Sequence, residues 1–321
     1  MLWLTWGRHR RSRELSASLG AELREIELRA PWIVRALVLS VASVARILRA
    51  RPRTLVVQNP SIILATVACV LRPLLRYRLI VDRHSNFFEE TLAAPSLKFR
   101  VFHALSRYTV RGADVTIVSN KVLKELLESW GGRGFVLPDR LPDLSQAKPR
   151  RLEEAHAVVF VCSHSFDEPL AEVLQAAALL GPECRVYVTG DSGLSDRQLV
   201  RDAPSNVTFT GFLSEEAYQS LLVSTDAVLA LTTQPNTLLC CAYEAVALGK
   251  PLVLSNQEVL TSYFHQGVVI AEHTPRALAA AITQALAEGP ALRVEVAALA
   301  RELKEDWEVR FRELRRLMGM D

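Results

Sequence analysis

No apolar run in this chain approaches the roughly 20 residues that a bilayer-spanning helix needs. The longest, Ala36–Ala45 and Ile62–Leu71, have ten residues each and are flanked by arginines, which predicts that nothing here crosses a membrane. The five cysteines, Cys69, Cys162, Cys184, Cys240 and Cys241, include no C-x-x-C pair. An odd set without metal spacing reads as buried thiols in a reducing compartment and argues against a disulfide framework. Glycine (14) and proline (15) stand at ordinary levels, so neither a collagen-like nor a low-complexity chain is compatible with the composition.

Several catalytic signatures are missing as well. There is no G-x-G-x-x-G, and Gly249-Lys250 runs into Pro251 with no glycine five residues before Gly249, which removes the dehydrogenase fingerprint and the phosphate-binding P-loop. No Asp-x-Asp pair is present to hold a metal on a sugar diphosphate, and no G-x-S-x-G elbow to carry a nucleophilic serine. Metal-dependent and acyl-transfer chemistry are therefore not expected, and neither is a metal or a cofactor. Acidic residues are scarce in the first half. Residues 1–150 carry 25 Lys/Arg against 12 Asp/Glu and residues 151–321 carry 13 against 23, so a formal net charge of +3 conceals halves of +13 and −10.

What is present points to a soluble core. With 321 residues, 50% hydrophobic and 23% charged, the chain is long enough for two domains, each burying its own core. The basic half favours phosphate in some form: an anionic membrane surface, a nucleic acid or a phosphorylated substrate. Nucleic acid is not expected, because no interleaved aromatics or recognition motif accompany the charge. Trp32, Leu37, Val38, Val41 and Val44 beside Arg35, Arg46, Arg49, Arg51 and Arg53 suit a helix lying on a membrane; a core helix with a solvated basic end is the other reading. The apolar Met1–Trp6 precedes the basic Arg8–Arg13, the reverse of a signal peptide, so the expected location is cytoplasmic, peripheral on the inner face of the membrane.

Short β-rich runs alternate with longer helical patterns throughout, the mark of βαβ units and parallel sheets. Strands are predicted at Leu2–Trp6, Glu22–Leu28, Thr54–Val57, Leu79–Asp82, Val115–Ser119 and Gly134–Leu137, and again at Val158–Cys162, Arg185–Thr189, Val207–Phe209, Ala227–Leu231, Leu252–Ser255 and Val268–Ala271. Pro138, Pro142 and Pro149 among polar residues place a linker over Pro138–Glu154. The expected organisation is α/β, two doubly wound Rossmann-like domains facing a cleft. The first covers 1–145 and the second 146–290, with a helical tail over 291–321 whose Trp307, Phe311 and Leu314 fall at helical spacing.

The most informative segment is Leu229–Leu254. A buried strand ends in a polar loop, Asn236 caps a helix, Gly249 terminates it, and Pro251 starts the next strand. A helix N-terminus at the carboxyl edge of a parallel sheet suits phosphate. Glu244, eight residues after the expected cap and flanked by Ala242, Ala245 and Val246, is placed to grip a vicinal diol; the alternative is a carboxylate facing solvent. Asn206-Val207-Thr208 fits a glycosylation acceptor pattern, a match expected to be coincidental because no secretion is expected.

Four pieces occur in order: Val188-Thr-Gly190-Asp191, Asn206–Glu216 with Gly211-Phe212-Leu213, Ser224-Thr-Asp226, and Tyr243-Glu244-Ala-Val-Ala-Leu-Gly249-Lys-Pro251. In this combination the chain resembles GT-B glycosyltransferases over about Val158–Leu286, especially the retaining, metal-independent group that includes glycogen synthase and bacterial polysaccharide transferases. The resemblance implies an acceptor-side first domain, a donor-side second domain and a tail crossing back to the first. It implies a hexosyltransferase-like enzyme that moves a sugar from a nucleotide diphosphate sugar to a hydroxyl on a glycan or lipid-linked glycan. Glu244 would hold the donor ribose, Gly211, Phe212 and Leu213 would lie beside the base, Gly190 and Asp191 would belong to the same donor site, and Asn236, Thr237 and Leu238 would face the phosphates and sugar.

Two departures from the family stand out. Asn236 replaces the first glutamate of the family's pair, and Cys162-Ser-His164-Ser-Phe-Asp167-Glu168-Pro169 lacks the Arg and Lys clamp on the leaving diphosphate. Arg11, Arg13, Arg83 and His164 are the candidates to supply that charge, whose stabilisation is the main electrostatic task of metal-free transfer. In the first half, Gly7 would let backbone approach the donor. His84, in Asp82-Arg83-His84-Ser85, ends a strand where related enzymes carry a histidine near the reacting sugar; its other reading is a strand-end residue bonding its own loop. The two departures leave open a non-catalytic protein that binds a nucleotide sugar or scaffolds an assembly, and the fold is shared with nucleotide-sugar epimerases.

Overall fold

The computed structural model describes residues 1–59, 61–84, 87–88 and 91–320, so Ser85 lies outside the described residues. The chain divides into two compact units, Met1–Asp139 with Trp307–Asp321, and Arg140–Asp306. Asp139, the last residue of the first stretch, is tied by its carboxylate to Arg11 of the same unit.

In the first unit, strands β1 (Leu2–Thr5), β2 (Glu22–Glu25), β3 (Thr54–Gln58), β4 (Arg78–Asp82), β5 (Val115–Val118) and β6 (Gly134–Val136) form one parallel sheet in the order β2-β1-β3-β4-β5-β6. Helices α1 (Arg10–Ser18), α2 (Trp32–Ala50), α3 (Ile62–Leu75), α4 (Leu97–Gly112) and α5 (Lys121–Ser129) cover it. The central strands are apolar on both faces, as burial under helices on both sides demands. Leu55 and Val57 of β3 pack with Leu39 and Ile47 of α2 and Leu64 of α3, while Val56 packs with Leu15 of α1 on the opposite face. The edge strand β2, Glu-Leu-Arg-Glu, is charged and accessible, which discourages pairing with another chain.

The second unit repeats the plan with β7 (His156–Phe160), β8 (Cys184–Thr189), β9 (Val207–Gly211), β10 (Ala227–Ala230), β11 (Leu252–Ser255) and β12 (Val268–Ala271), all parallel, in the order β12-β11-β10-β7-β8-β9. Its helices are α6 (Leu170–Leu180), α7 (Arg197–Arg201), α8 (Glu215–Ser224), α9 (Cys240–Ala247), α10 (Glu258–Tyr263) and α11 (Pro275–Ala287), followed by α12 (Gly289–Leu317). Chain direction across this sheet reverses between β7 and β10. In such sheets ligands bind outside the carboxyl ends of the strands at that switch point.

Helix α12 carries one apolar stripe at spacings of three and four. Leu292, Val296, Leu299 and Leu303 enter the cores of the second unit, and Trp307, Phe311, Leu314 and Met318 enter a core of the first. Among the described residues no helix is long and apolar enough to cross a membrane. All five cysteines are free, and Cys240 is the one exposed. The amide of Asn206 is buried and donates to the carbonyls of Ala177, Gly181 and Cys184 at 2.8, 2.9 and 3.1 Å, so this asparagine is a structural strap. Lys250 is another: its Nζ donates to the carbonyls of Val223 and Thr225, both at 2.7 Å.

Candidate functional site

At the carboxyl edge of the second sheet, the turns after β7, β8 and β9 surround a pocket of about 670 Å³. Its walls include Ser163, Gly190, Asp191, Leu194, Phe212, Leu213 and Tyr218. Gly190 follows β8 with φ +89°, and a Cβ there would lie 2.3 Å from the carbonyl oxygen of Cys162, so no other residue fits. Asp191 turns its carboxylate onto the backbone N–H of Gly193 at 3.0 Å and shapes the rim. After Gly211, Phe212 projects into solvent with 91% of its surface exposed. A large aromatic ring held at a polar rim supplies a stacking face for a flat ligand. The sequence brings Gly190, Asp191, Gly211, Phe212 and Leu213 together here, as two neighbouring parallel strands, β8 and β9, must when their turns share one edge.

Behind this wall Glu244 is buried on α9, and the hydroxyl of Tyr218 donates to its Oε2 at 2.6 Å. Burial and the adjacent carboxylate raise the Tyr218 pKa, so the phenol stays protonated and remains a donor. Tyr218 both lines the pocket and holds Glu244; sequence reading missed it because nothing in Glu215–Ser224 marks one tyrosine as facing α9. The solvent-facing alternative for Glu244 is excluded by its burial. Asn236 does not cap a helix: it adopts a left-handed φ of +61°, and α9 starts only at Cys240, after Leu239. Thr237 and Leu238 accordingly lie in the loop between β10 and α9, half-buried, and Glu244 stands five residues after the true cap position.

The turn after β7 holds a negative charge. The carboxylate of Glu168 accepts hydrogen bonds from the backbone N–H of Ser163 at 2.9 Å and of Ser165 at 2.8 Å, and from the Ser163 hydroxyl at 3.1 Å. Backbone donors that could serve a phosphate are thus filled internally, a feature invisible without the loop geometry. Burial, then Glu168 beside it, pushes the Cys162 thiol up to about 12, so it is no nucleophile. The Asp167 carboxylate accepts from the Thr232 hydroxyl at 2.7 Å, stitching the turn after β7 to the loop after β10 across the switch point.

In the first unit, the carboxyl ends of β1 and β4 gather a second group. Gly7 follows β1 with φ +127°, and a Cβ there would lie 3.6 Å from the ring of His9, a residue sequence reading did not single out. Burial and the nearby His84 lower the His9 pKa. His84 follows β4 with Nδ1 3.5 Å from Oδ2 of the fully buried Asp82.

Of Arg11, Arg13, Arg83 and His164, the expected sources of leaving-group charge, three have their polar atoms engaged within their own unit. Arg11 is buried with every nitrogen engaged: Nε donates to Asp82 at 3.0 Å, Nη1 to Asp139 at 2.6 Å and Nη2 to the carbonyl of Leu137 at 2.9 Å. Arg13 is held by Glu25 through two 2.9 Å contacts on the surface. The ring of His164 is consumed by the hydroxyl of Ser195 at 2.6 Å and the carbonyl of Thr189 at 3.1 Å, which makes it an anchor between β7 and β8. Arg83 is buried with its guanidinium 3.6 Å from the Phe87 ring centre; Nη2 donates to Ser106 at 3.3 Å and Nη1 has no partner among the described residues. Burial lowers its pKa to about 9. Among the described residues no cluster of His, Cys, Asp and Glu has the geometry to hold a metal.

Residues 155–288, less than half of the chain, match the family described as Glycosyl transferases group 1. No curated protein is matched significantly by the chain. Among solved structures the chain is similar to a sucrose-phosphate synthase from Thermosynechococcus elongatus, with a TM-score of 0.76 at 16% identity over 99% of this chain and 98% of that one. It is similar to HepE from Anabaena, solved in complex with UDP-glucose, with a TM-score of 0.71 at 14% identity over 99% of this chain and 91% of that one. A glycosyltransferase from Rickettsia africae gives a TM-score of 0.67 at 11% identity over 98% and 88%. At such identities the likeness is one of fold, and the α/β class with two Rossmann-like domains expected from sequence is the class observed.

Proposed function

We propose that the chain is a glycosyltransferase of the retaining, polysaccharide-transferase kind, moving a hexose from a nucleotide diphosphate sugar to a hydroxyl of a glycan or lipid-linked glycan, without a metal. The observation that carries this reading is the pocket at the carboxyl edges of β8 and β9, inside the segment matched to the glycosyltransferase family. Its contents suit a nucleoside: an exposed aromatic face at Phe212, apolar walls at Leu194 and Leu213, and a buried carboxylate, Glu244, reached through Tyr218. That HepE was solved with UDP-glucose supports a nucleotide sugar as donor for the same fold.

In the proposed reaction the bond from the sugar's anomeric carbon to the diphosphate breaks, and the acceptor oxygen bonds to that carbon on the face the diphosphate leaves. The acceptor's proton passes to the departing phosphate. His84, beside the buried Asp82, is the first-unit group assigned to the reacting sugar; Asn236, Thr237 and Leu238 present polar and backbone groups at the switch point. Calorimetry with UDP, GDP, ADP and their sugar conjugates in chelator tests the donor site. Saturable binding of one nucleotide, weakened at least tenfold by Glu244→Ala with the fold intact, is the expected result; equal affinity in the variant overturns the assignment of Glu244.

A second reading, donor binding without transfer, is favoured by one observation. Glu168 fills the backbone donors of the turn after β7 with a carboxylate, and His164 of the same turn spends its ring on Ser195 and Thr189. Tight nucleotide-sugar binding with neither transfer nor hydrolysis across hydroxyl acceptors would select that reading.

A further inference from the structure

Helix α2 is oriented against its own composition. Across 19 residues it buries only Leu39, Ser43 and Ile47 on the sheet, while Trp32 (74% exposed), Leu37 (64%) and Val41 (70%) face solvent with Ile33, Val38 and Leu48. Leu37, Val41 and Leu48 recur at spacings of four and seven and so share one face, opposite the buried stripe. A core helix would turn that face inward. The neighbouring α3 continues the pattern with exposed Val70 and Leu74.

Charge is distributed as selectively as apolarity. Residues 28–81 contain nine arginines and no Asp or Glu. Arg35, Arg46 and Arg49 lie on α2 itself and Arg51 and Arg53 follow it; none has a carboxylate partner among the described residues. Unpaired surface arginines beside a broad apolar face would be a liability in water, because such faces drive association. Against an anionic lipid surface both features become favourable, since the apolar arc enters the acyl boundary while guanidinium groups meet headgroup phosphates.

We propose that the solvent face of α2, extended by α3, docks the first unit on an anionic lipid bilayer. The helix lies in the interface and does not span it, consistent with the lack of any described helix long and apolar enough to cross. Charge complementarity selects this occupant: a protein partner of mixed surface charge would leave the arginine cluster unmatched. Docking requires neither donor nor turnover, so its failure leaves the donor site unaffected and the reverse also holds.

The test is sedimentation of the full chain with vesicles of phosphatidylcholine and phosphatidylglycerol (about 7:3) and with phosphatidylcholine alone, at low and at physiological salt. Retention on the anionic vesicles, weakened by salt, is expected. Leu37→Asp with Val41→Asp, and separately Arg49→Glu with Arg53→Glu, should each reduce it at least tenfold while thermal midpoint and nucleotide affinity stay unchanged. Absence of retention at low salt, or equal retention of both double variants, overturns the proposal. So does a protein that ignores vesicles yet forms a concentration-dependent dimer dissolved by Leu37→Asp, which would assign the face to a second copy.

Discussion

Replacing Arg11 by Met removes an α1 side chain that ties the end of β4 to the segment after β6. Asp82 lies fully buried and relies on Arg11 Nε at 3.0 Å, Asp139 loses a 2.6 Å contact, and the carbonyl of Leu137 loses its 2.9 Å donor. Breaking a buried pair by deleting one partner strands the other charge and costs about 3–5 kcal/mol, a large share of a domain's stability. The pH dependence is diagnostic. Burial opposes ionisation of Asp82, but Arg11 and His84 outweigh it and hold the carboxyl at about 2, below its ordinary 3.8. That contribution is therefore complete above about pH 4 and is lost as pH falls toward 2. In Arg11→Met burial prevails, the Asp82 carboxyl moves upward, and its ionisation then opposes folding as pH rises. The destabilisation should be larger at pH 7 than at pH 4, and Asp82→Asn added to the variant should recover much of it. Urea unfolding followed by tryptophan fluorescence measures the first unit alone, because Trp3, Trp6, Trp32, Trp130 and Trp307 all belong to it. A loss below about 1 kcal/mol at pH 7, or one no larger there than at pH 4, refutes the reasoning.

Gly190→Ala should cost at least about 2 kcal/mol, from the left-handed backbone and a Cβ 2.3 Å from a carbonyl oxygen, and should weaken nucleotide binding; thermal denaturation and calorimetry check both. Burial, then Arg293, lowers the Lys250 pKa from 10.5 to about 8. The unfolded chain keeps that proton to higher pH than the folded one, so stability rises between pH 8 and 10.5, by about 1 kcal/mol once solvent screening is allowed for, a gain that Lys250→Met should abolish in paired urea titrations.

The alternation of short apolar runs with helical patterns was sufficient to read two parallel α/β sheets, because strands buried on both faces must be continuously apolar and parallel neighbours must be joined by helices. The turn at Gly249 was legible for a local reason, a glycine following an apolar helical run, and the structure gives it a positive φ of 65°. The N-terminus of α9 was not legible. Asn236 is a good capping residue, yet the loop after β10 is held instead by Thr232 and Thr233 bonding to Asp167, and the helix begins four residues later.

Composition by itself determined that the first half carries excess positive charge, that the core is large enough for two units, and that Glu244 sits among apolar neighbours. Which charges are available is a tertiary matter. Arg11, Arg13 and Arg83 are equally basic in sequence, but the first is saturated in the core, the second is paired on the surface, and the third is buried against Phe87 with one nitrogen unmet. Likewise, α2 reads as core or as interface from its residues alone. Only packing decides, because a helix can bury one face on a sheet and no local rule says which of two apolar faces it will be.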